Sequence, residues 1–190
     1  MVIKRCFDIV ASLFGLILFS PVMLIAAFMI RLSMGSPVFF RQQRPGYKGI
    51  PFQLVKFRTM KPVCLDGFND QSDEVRLTKM GRFLRRTSLD ELPEFWNVLK
   101  GEMSIVGPRP LLMDYLSRYS SEQARRHDVK PGITGWAQVN GRNAITWEER
   151  FKLDVWYVDN RSFFLDMKIL WMTQAKVAQE GLSSEETQEL

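Results

Sequence analysis

The longest apolar stretch of the chain runs from Ile9 to Ile30, where 22 consecutive residues carry no charge. Lys4-Arg5 and Asp8 precede this stretch, and Arg31 follows it. A helix of about 20 apolar residues is long enough to cross a bilayer. A signal peptide has a shorter apolar region and a small-residue cleavage site, and no such site precedes Arg31. The pattern therefore predicts a retained membrane segment.

Ser20 and Pro21 interrupt this segment near its middle. Proline removes a helical hydrogen bond and clashes with the preceding turn, so the sequence predicts a sharp bend there. Positive residues flank both ends of the segment, which gives no clear inside-outside asymmetry. Two topologies fit equally: a kinked helix that crosses the membrane, and a helix that dips into it and returns to the same face.

Two stretches rich in Phe and Val, Val38–Gln43 and Pro51–Thr59, flank the turn sequence Arg44-Pro45-Gly46-Tyr47-Lys48-Gly49. They predict a β-hairpin with a longer loop. Residues two apart on a strand share a face, so Lys56 and Arg58 would lie side by side. Such a pair can bind a phosphate, although two basic residues on a strand more often face water.

Apolar residues recur at helical spacing over Leu92–Leu99 and predict a helix. Its start has two interpretations. In one, Ser88 caps the helix and Glu91 forms the reciprocal bond of a capping box. In the other, Asp90 is the cap and Pro93 falls in the first turn. Both interpretations place Asp90 and Glu91 at the positive end of the helix dipole, directly after a basic run.

The remaining part of the chain predicts loops and two further helices. Gly101–Pro110 and Pro131–Asn143 are rich in glycine and proline and predict loops. Thr146 and Glu149 form a capping pair that opens one helix. Phe163–Val177 predicts another helix, which fits either the lipid headgroup layer or an ordinary protein core.

The formal net charge of +5 and the pI near 9.4 favour anionic partners, such as acidic lipids, phosphorylated substrates or nucleic acid. Arg76–Arg86 holds five positive residues and no acid, a pattern that fits a solvated helix face equally well. Nucleic-acid binding would place aromatic residues among these cations, and the run holds only Phe83. The polar stretch Lys61–Val75 predicts a mobile loop.

Several common site types are disfavoured. His127 is the only histidine and lies in an exposed-looking Arg-Arg-His-Asp stretch, which argues against serine or cysteine hydrolysis. Cys6 and Cys64 share no CxxC spacing, so neither a disulfide framework nor a zinc site is expected. The sequence contains neither a P-loop nor a GxGxxG fingerprint, which disfavours P-loop kinases and Rossmann dehydrogenases.

The adjacent carboxylates of Asp90 and Glu91 have two interpretations. Spacing alone favours a capping acid with a surface ion pair. In the functional interpretation, arginines and the helix dipole keep one carboxylate ionised, and this carboxylate attacks phosphorus. Other cations and Mg²⁺ would then neutralise the phosphate.

Eight short motifs, each weak alone, follow one another along the chain: Lys4-Arg5 with Asp8, Ser20-Pro21, Arg44-Pro45-Gly46, Lys56-Phe57-Arg58-Thr59-Met60, Ser88-Leu89-Asp90-Glu91-Leu92-Pro93, Gly107-Pro108-Arg109-Pro110, Val129-Lys130-Pro131-Gly132-Ile133-Thr134-Gly135 and Asn140-Gly141-Arg142-Asn143. In number, order and spacing they resemble the small monotopic bacterial phosphoglycosyl transferases, the PglC-like initiating sugar transferases. The resemblance covers nearly the whole chain.

This resemblance implies an α+β, mainly helical fold in a single catalytic domain over 1–190. A re-entrant membrane helix over 1–35, broken at Ser20-Pro21, would enter and leave by the cytoplasmic face of the bacterial inner membrane. A cytosolic and interfacial core over 36–182 would contain the short hairpin and amphipathic helices. An acidic, flexible tail would occupy 183–190.

The resemblance also implies a ping-pong reaction. Asp90 attacks the β-phosphate of a UDP-sugar, expels UMP and holds the sugar phosphate covalently until undecaprenyl phosphate takes it. Glu91 assists as acid or base, and Mg²⁺ at Asp90 bridges phosphate oxygens. Asp154 and Asp166 resemble family positions without an assigned role. The cations implied in phosphate or nucleotide binding are Lys56, Arg85, Arg109 and Arg142.

The similarity over Asn140–Trp147 favours an acetamido sugar, with UDP-N,N′-diacetylbacillosamine as the first choice. Galactose, glucose and N-acetylated hexosamine phosphates stay open. The expected partners are the donor, the acceptor and membrane lipids, without nucleic acid, and the chain would act alone or as a homodimer in the first membrane step of glycoconjugate assembly. Two rivals remain: a membrane-anchored basic binding module, and a sugar-nucleotide hydrolase.

Overall fold

The computed structural model describes residues 2–61, 73–141 and 145–186, and the side chains of 73–74 and 176–186 are not considered. In these ranges the fold is mainly helical with two small sheets, as the α+β assignment predicted. The elements are α1 (Val2–Leu18), α2 (Ser20–Met34), β1 (Phe39–Pro45), β2 (Pro51–Phe57), α3 (Asp73–Arg76), α4 (Lys79–Arg86), α5 (Glu94–Lys100), β3 (Ser104–Val106), α6 (Ser121–Ala124), β4 (Gly132–Thr134), α7 (Trp136–Asn140), α8 (Trp147–Asn160) and α9 (Phe163–Glu186).

The predicted break in the apolar segment is confirmed. Helices α1 and α2 meet at an angle of 59°, and Pro21 lies in the first turn of α2, where its missing N–H is tolerated. The Ser20 hydroxyl donates to the Ile17 carbonyl at 2.7 Å. Within the described ranges neither helix alone has the length and apolarity of a membrane span, whereas the bent pair together does.

The start of α1 is fixed to the rest of the protein by polar contacts. Asp8 is buried, and its Oδ1 accepts from the Ser104 hydroxyl and the Ile105 amide, both at 3.0 Å. Arg5 donates to two main-chain carbonyls at the end of α5. Because these groups hold α1 against α5 and β3, the orientation of the apolar helix pair is coupled to that of the remaining described part of the protein.

The predicted hairpin is confirmed, with β1 and β2 antiparallel and Phe40 opposite Lys56. Arg58, just beyond β2, is buried and donates to the carbonyls of Met34, Gly35 and Ser36. Arg58 is therefore bound to main-chain oxygens and does not face water. These bonds attach the open end of the hairpin to the end of α2.

The prediction that Gly101–Pro110 and Pro131–Asn143 are loops is wrong in part. Both contain a three-residue strand, and β3 pairs with β4 in parallel, while α7 follows directly. A Cβ on Gly132 would lie 2.1 Å from the Gly107 nitrogen, so this close approach requires glycine. Strands this short, composed partly of glycine, show no alternation that a sequence pattern can reveal.

The capping pair predicted at the start of α8 is confirmed, because Thr146 and Glu149 form both reciprocal bonds. Helix α9 continues beyond the predicted end at Val177 to Glu186, so the described part of the acidic tail is helical. The main core consists of buried apolar residues from β2, α5, β3, α7, α8, α9 and two connecting segments: Phe52, Leu54, Val98, Met103, Ile105, Val106, Val129, Val139, Tyr157 and Ile169.

Candidate active site

A cleft of about 1280 Å³ opens between the hairpin and the segment that joins α4 to α5. Both carboxylates of the adjacent acidic pair line it, together with the connection from α2 into β1. Its basic lining is dense, which makes the cleft a binding site for anions. The basic residues along its walls are Arg41, Arg44, Lys56, Arg58, Lys61, Arg76, Arg85 and Arg109.

Neither predicted cap of α5 is formed. Ser88 has a left-handed backbone (φ +56°) and its side chain caps nothing, and Asp90 lies in a separate 3₁₀ turn over Leu89–Glu91. Pro93 precedes α5 instead of lying in its first turn. The left-handed backbone of Ser88 interrupts the helical path between α4 and α5. The carboxylates of Asp90 and Glu91 therefore lie in the wall of the cleft and not at the start of α5.

Glu91 is held by two cations. Its Oε1 lies 2.8 Å from the Lys56 Nζ and 2.5 Å from an Arg109 guanidinium nitrogen. Burial alone would raise the pKa of Glu91, but Arg109 and Lys56 outweigh burial and lower it to about 2. Glu91 is therefore ionised at neutral pH and its side chain is fixed in position.

Glu94, which was not predicted from the sequence, also contacts Lys56. Its Oε1 is 2.9 Å from the Lys56 Nζ, and the residue is 2% exposed. The short contact with Lys56 favours the carboxylate, yet burial and the neighbouring charge of Glu91 have the larger effect and raise the pKa of Glu94 to about 7. Lys56 is thus shared between an ionised carboxylate and one that titrates near neutrality.

We expect Glu94→Gln to remove part of the pH dependence of stability. The pKa of the Glu94 carboxyl is raised from 4.5 to about 7, so its protonated form stabilises the fold. This contribution to the free energy of unfolding is complete below pH 4.5 and is lost as the pH rises through 7. The free energy of unfolding of the wild type should therefore fall between pH 5 and 8 by roughly 2 kcal/mol more than that of the variant. Denaturant titration in detergent at both pH values measures the difference.

The matched control is Glu148→Gln, because Glu148 is an exposed glutamate paired with Lys152 on α8. It should leave the pH dependence as in the wild type. If Glu94→Gln behaved like this control, Glu94 would not titrate between these pH values.

Asp90 differs from its neighbour. It is 8% exposed, and within the described ranges its carboxylate accepts no side-chain hydrogen bond. Burial and the charge of Glu91 raise the pKa of Asp90, against the opposing effects of Lys56 and Arg85. The interpretation in which arginines keep one carboxylate ionised is thus opposed at Asp90 by burial and by the second carboxylate, which have the larger effect on its pKa.

The predicted cations Lys56, Arg85 and Arg109 meet in this cleft. The Arg85 Nε donates to the Thr59 hydroxyl at 3.0 Å, and the charge of Arg85 opposes the rise in the pKa of Asp90. The Arg109 side chain is 42% exposed. Arg142, the fourth predicted cation, lies outside the described residues.

Arg44 also lines the cleft, although it was not among the predicted site residues. Its Nε is buried and has no hydrogen-bond partner in the described ranges, and one terminal nitrogen donates to Gln42 at 2.7 Å. Burial and the nearby charge of Arg109 lower the pKa of the Arg44 guanidinium. Two guanidinium groups at one end of a cleft provide a site for an anion.

The two aspartates without an assigned role support the architecture of the site. Asp154 forms a fully buried ion pair with Arg126 at 2.8 Å, and Arg126 in turn donates to the Arg109 carbonyl at 2.7 Å. Asp166 accepts from the Tyr157 hydroxyl and from Lys4, both at 2.6 Å.

His127, which looked exposed in the sequence, is buried. Burial and the adjacent charge of Arg126 lower its pKa to about 4. An imidazole with this pKa is neutral at physiological pH. Its burial follows from the 3₁₀ segment Arg125–Asp128, which turns both Arg126 and His127 inward.

Comparison with known proteins gives consistent results. A family model described as bacterial sugar transferase matches residues 1–180. The chain is 60% identical to the uncharacterized sugar transferase EpsL of Bacillus subtilis, over 96% of this chain and 91% of that protein. It is 44% identical to a UDP-glucose:undecaprenyl-phosphate glucose-1-phosphate transferase of Klebsiella pneumoniae and 40% identical to an undecaprenyl-phosphate galactose phosphotransferase of Salmonella typhimurium. The chain covers 40% of the length of each of these two proteins, with 93% and 92% of its own residues matched.

Proposed function

We propose that this phosphoglycosyl transferase moves a sugar 1-phosphate from a UDP-sugar to undecaprenyl phosphate. The premise is that the chain belongs to the bacterial sugar transferase family. One observation carries the proposal. Of two adjacent carboxylates in a cationic cleft, Glu91 is held by Lys56 and Arg109, whereas Asp90 has no side-chain donor among the described residues. A carboxylate without such a donor keeps its lone pairs for attack on phosphorus.

The reaction has two displacement steps at one phosphorus atom. An Asp90 oxygen forms a bond to the β-phosphorus of the donor, and the bond to the bridging oxygen breaks, so that UMP leaves with that oxygen and its electron pair. A phosphate oxygen of the acceptor then attacks the same phosphorus, and the Asp90 carboxylate is regenerated. The cations of the cleft stabilise the negative charge in both steps.

Glu91 has a role in this scheme that follows from its charge. With a pKa near 2 it holds no proton to donate at neutral pH and is a weak base, so neither of the two implied roles, acid or base, follows from its electrostatics. Its negative charge positions Lys56 and Arg109 against incoming phosphates. Lys56 and Arg109 can each replace the Glu91 oxygen as a hydrogen-bond acceptor by an oxygen of an incoming phosphate.

Mg²⁺ fits the cleft as an ion shared with the substrate. In the described part of the chain no three His, Cys, Asp or Glu side chains come together as a metal site. Asp90 offers a carboxylate without a side-chain donor, and Mg²⁺ commonly takes one or two carboxylates together with phosphate oxygens and water. Bound there, the ion would neutralise phosphate charge and favour the ionised form of Asp90, whose pKa is otherwise raised.

The bent helix pair supports a re-entrant, monotopic topology on the cytoplasmic face of the inner membrane. Both ends of the pair are bound to the same cytosolic part, α1 through Arg5 and Asp8 and α2 through Arg58. A helix pair that crossed the bilayer would have its ends on opposite sides. The exposed apolar side chains between these ends include Leu13, Phe14, Ile17, Leu24, Ile25, Phe28 and Leu32.

We further propose that the transferred sugar is an acetamido sugar, first N,N′-diacetylbacillosamine, on the resemblance over Asn140–Trp147 alone. The chain would act alone or as a homodimer, as one catalytic domain, in the first membrane step of glycoconjugate assembly. Membrane lipids are its further partners, and nucleic acid is not expected to bind.

The test is UMP release by purified protein in detergent with Mg²⁺, a panel of UDP-sugars and undecaprenyl phosphate. With the correct donor we expect one equivalent of UMP per enzyme without acceptor, and continuous release once acceptor is added. Continuous release without acceptor would instead indicate a sugar-nucleotide hydrolase. No release with any donor would overturn the proposal and favour a binding module.

A further inference from the structure

The two ends of the active-site cleft differ in chemistry. In the hairpin register Phe40 lies opposite Lys56, and Arg44 lies opposite Phe52. Paired residues share a face of the sheet, so Phe40 and Lys56 stand together near the open end and Arg44 stands near the turn. Four residues of strand separate Phe40 from Arg44, a distance of about 13 Å.

The end next to α2 has an apolar strip beside the buried Arg58. Pro37, Val38 and Phe40 line the cleft there, and Phe40 is 47% exposed. This segment follows directly from the end of α2, which Arg58 fixes to the hairpin. The end of α2 thus leads directly into this apolar strip, and Phe40 at the end of the strip lies opposite Lys56.

The opposite end is cationic. Arg44 and Arg109 lie close enough that the charge of Arg109 lowers the pKa of Arg44. Arg109 is paired with Glu91, whereas the buried Arg44 Nε has no hydrogen-bond partner among the residues that the structure describes. An unpartnered buried donor is costly, and an anion bound at this end would satisfy it.

We propose that the first isoprenoid units of the acceptor lie along Pro37–Phe40 against the Phe40 ring, while a nucleotide phosphate of the donor binds at Arg44 and Arg109. This inference rests on the proposed function. A polyprenyl phosphate is an apolar chain that ends in an anion, and it matches a path that runs from α2 over Phe40 to Lys56. A nucleotide is polar and anionic throughout, so it matches the arginine end.

The test separates the two half-reactions. In a ping-pong scheme kcat/KM for each substrate reports only the half-reaction of that substrate. We expect Phe40→Ser to lower kcat/KM for undecaprenyl phosphate about tenfold, as the loss of a partly buried aromatic contact predicts, and to leave kcat/KM for the UDP-sugar unchanged. Arg44→Gln should do the reverse, with a loss of about ten- to a hundredfold for the UDP-sugar.

Two further variants complete the design. Phe40→Leu keeps an apolar side chain and should restore acceptor kinetics to within about twofold of the wild type. Ile50→Ser removes an exposed apolar side chain from the turn of the same hairpin, outside the cleft, and should change neither constant. Circular dichroism in detergent checks that each variant is folded.

The inference would be overturned if Phe40→Ser lowered both constants equally, or neither, or if Phe40→Leu were no better than Phe40→Ser. Such results would leave the proposed function standing, provided that the wild type still released one equivalent of UMP without acceptor. Absence of that release in the wild type would contradict the proposed function itself.

Discussion

Asp90→Asn should abolish transfer, with kcat lower than that of the wild type by at least roughly 10³-fold, as removal of a covalent nucleophile commonly produces. The amide is nearly isosteric with the carboxylate but is a far weaker nucleophile toward phosphorus. UMP release in detergent with Mg²⁺ and both substrates measures the loss. Mass spectrometry of enzyme quenched with donor alone should find the sugar-phosphate adduct on Asp90 in the wild type and no adduct in the variant.

The loss should not arise from unfolding. Burial and the charge of Glu91 raise the pKa of Asp90, so the fold gains nothing from its ionised form, and the Asn variant should melt at or above the wild-type temperature. The matched control Asp114→Asn changes an exposed aspartate and should keep full activity. Substantial turnover in the Asp90 variant, or an adduct on another residue, would rule out the covalent mechanism.

The elements that the sequence predicted well are those whose signals are local. The bend at Ser20-Pro21, the hairpin around Arg44–Gly49 and the start of α8 at Thr146 each depend on residues within a few positions of one another. Proline geometry, strand composition and a capping pair act at that range. The parallel pairing of β3 with β4 joins segments about 28 residues apart along the chain through two three-residue strands, so no local pattern reveals it.

The site was predictable in its composition but not in its electrostatics. Spacing alone favoured a cap for Asp90 and Glu91, and only the family resemblance pointed to chemistry at this pair. The left-handed backbone at Ser88 invalidated both predicted caps. Glu94 was missed because its raised pKa depends mainly on its burial, and because its ion pair with Lys56 joins it to β2. The role of Arg44 likewise depends on Arg109, which lies 65 residues later in the sequence.

The buried ion pair between Asp154 and Arg126 gives the largest expected effect on stability. Both side chains are almost fully buried, and Asp154 Oδ2 accepts from two guanidinium nitrogens at 2.8 and 3.1 Å. Asp154→Ala would leave a guanidinium charge in the core without its partner, which costs about 3–5 kcal/mol. Denaturant unfolding in detergent should show a loss of this size.

A control on the same helix separates burial from pairing. Asp159 also pairs with an arginine, Arg125, but both side chains are substantially exposed. Asp159→Ala should therefore cost at most about 1 kcal/mol. If Asp154→Ala cost no more than Asp159→Ala, the buried pair would not contribute to the stability of the fold in the way that its geometry indicates.

The double variant Arg126→Met with Asp154→Leu tests what the pair contributes to function. Replacing both charges by apolar side chains of similar size removes the unpaired charge, so most of the lost stability should return. Arg126 also donates to the Arg109 carbonyl, and Arg109 holds Glu91. A folded double variant should therefore still lose kcat/KM for the UDP-sugar by about tenfold, the effect of one missing hydrogen bond to a charged donor. Full activity in a stable double variant would show that the main chain at Arg109 is positioned without this arginine.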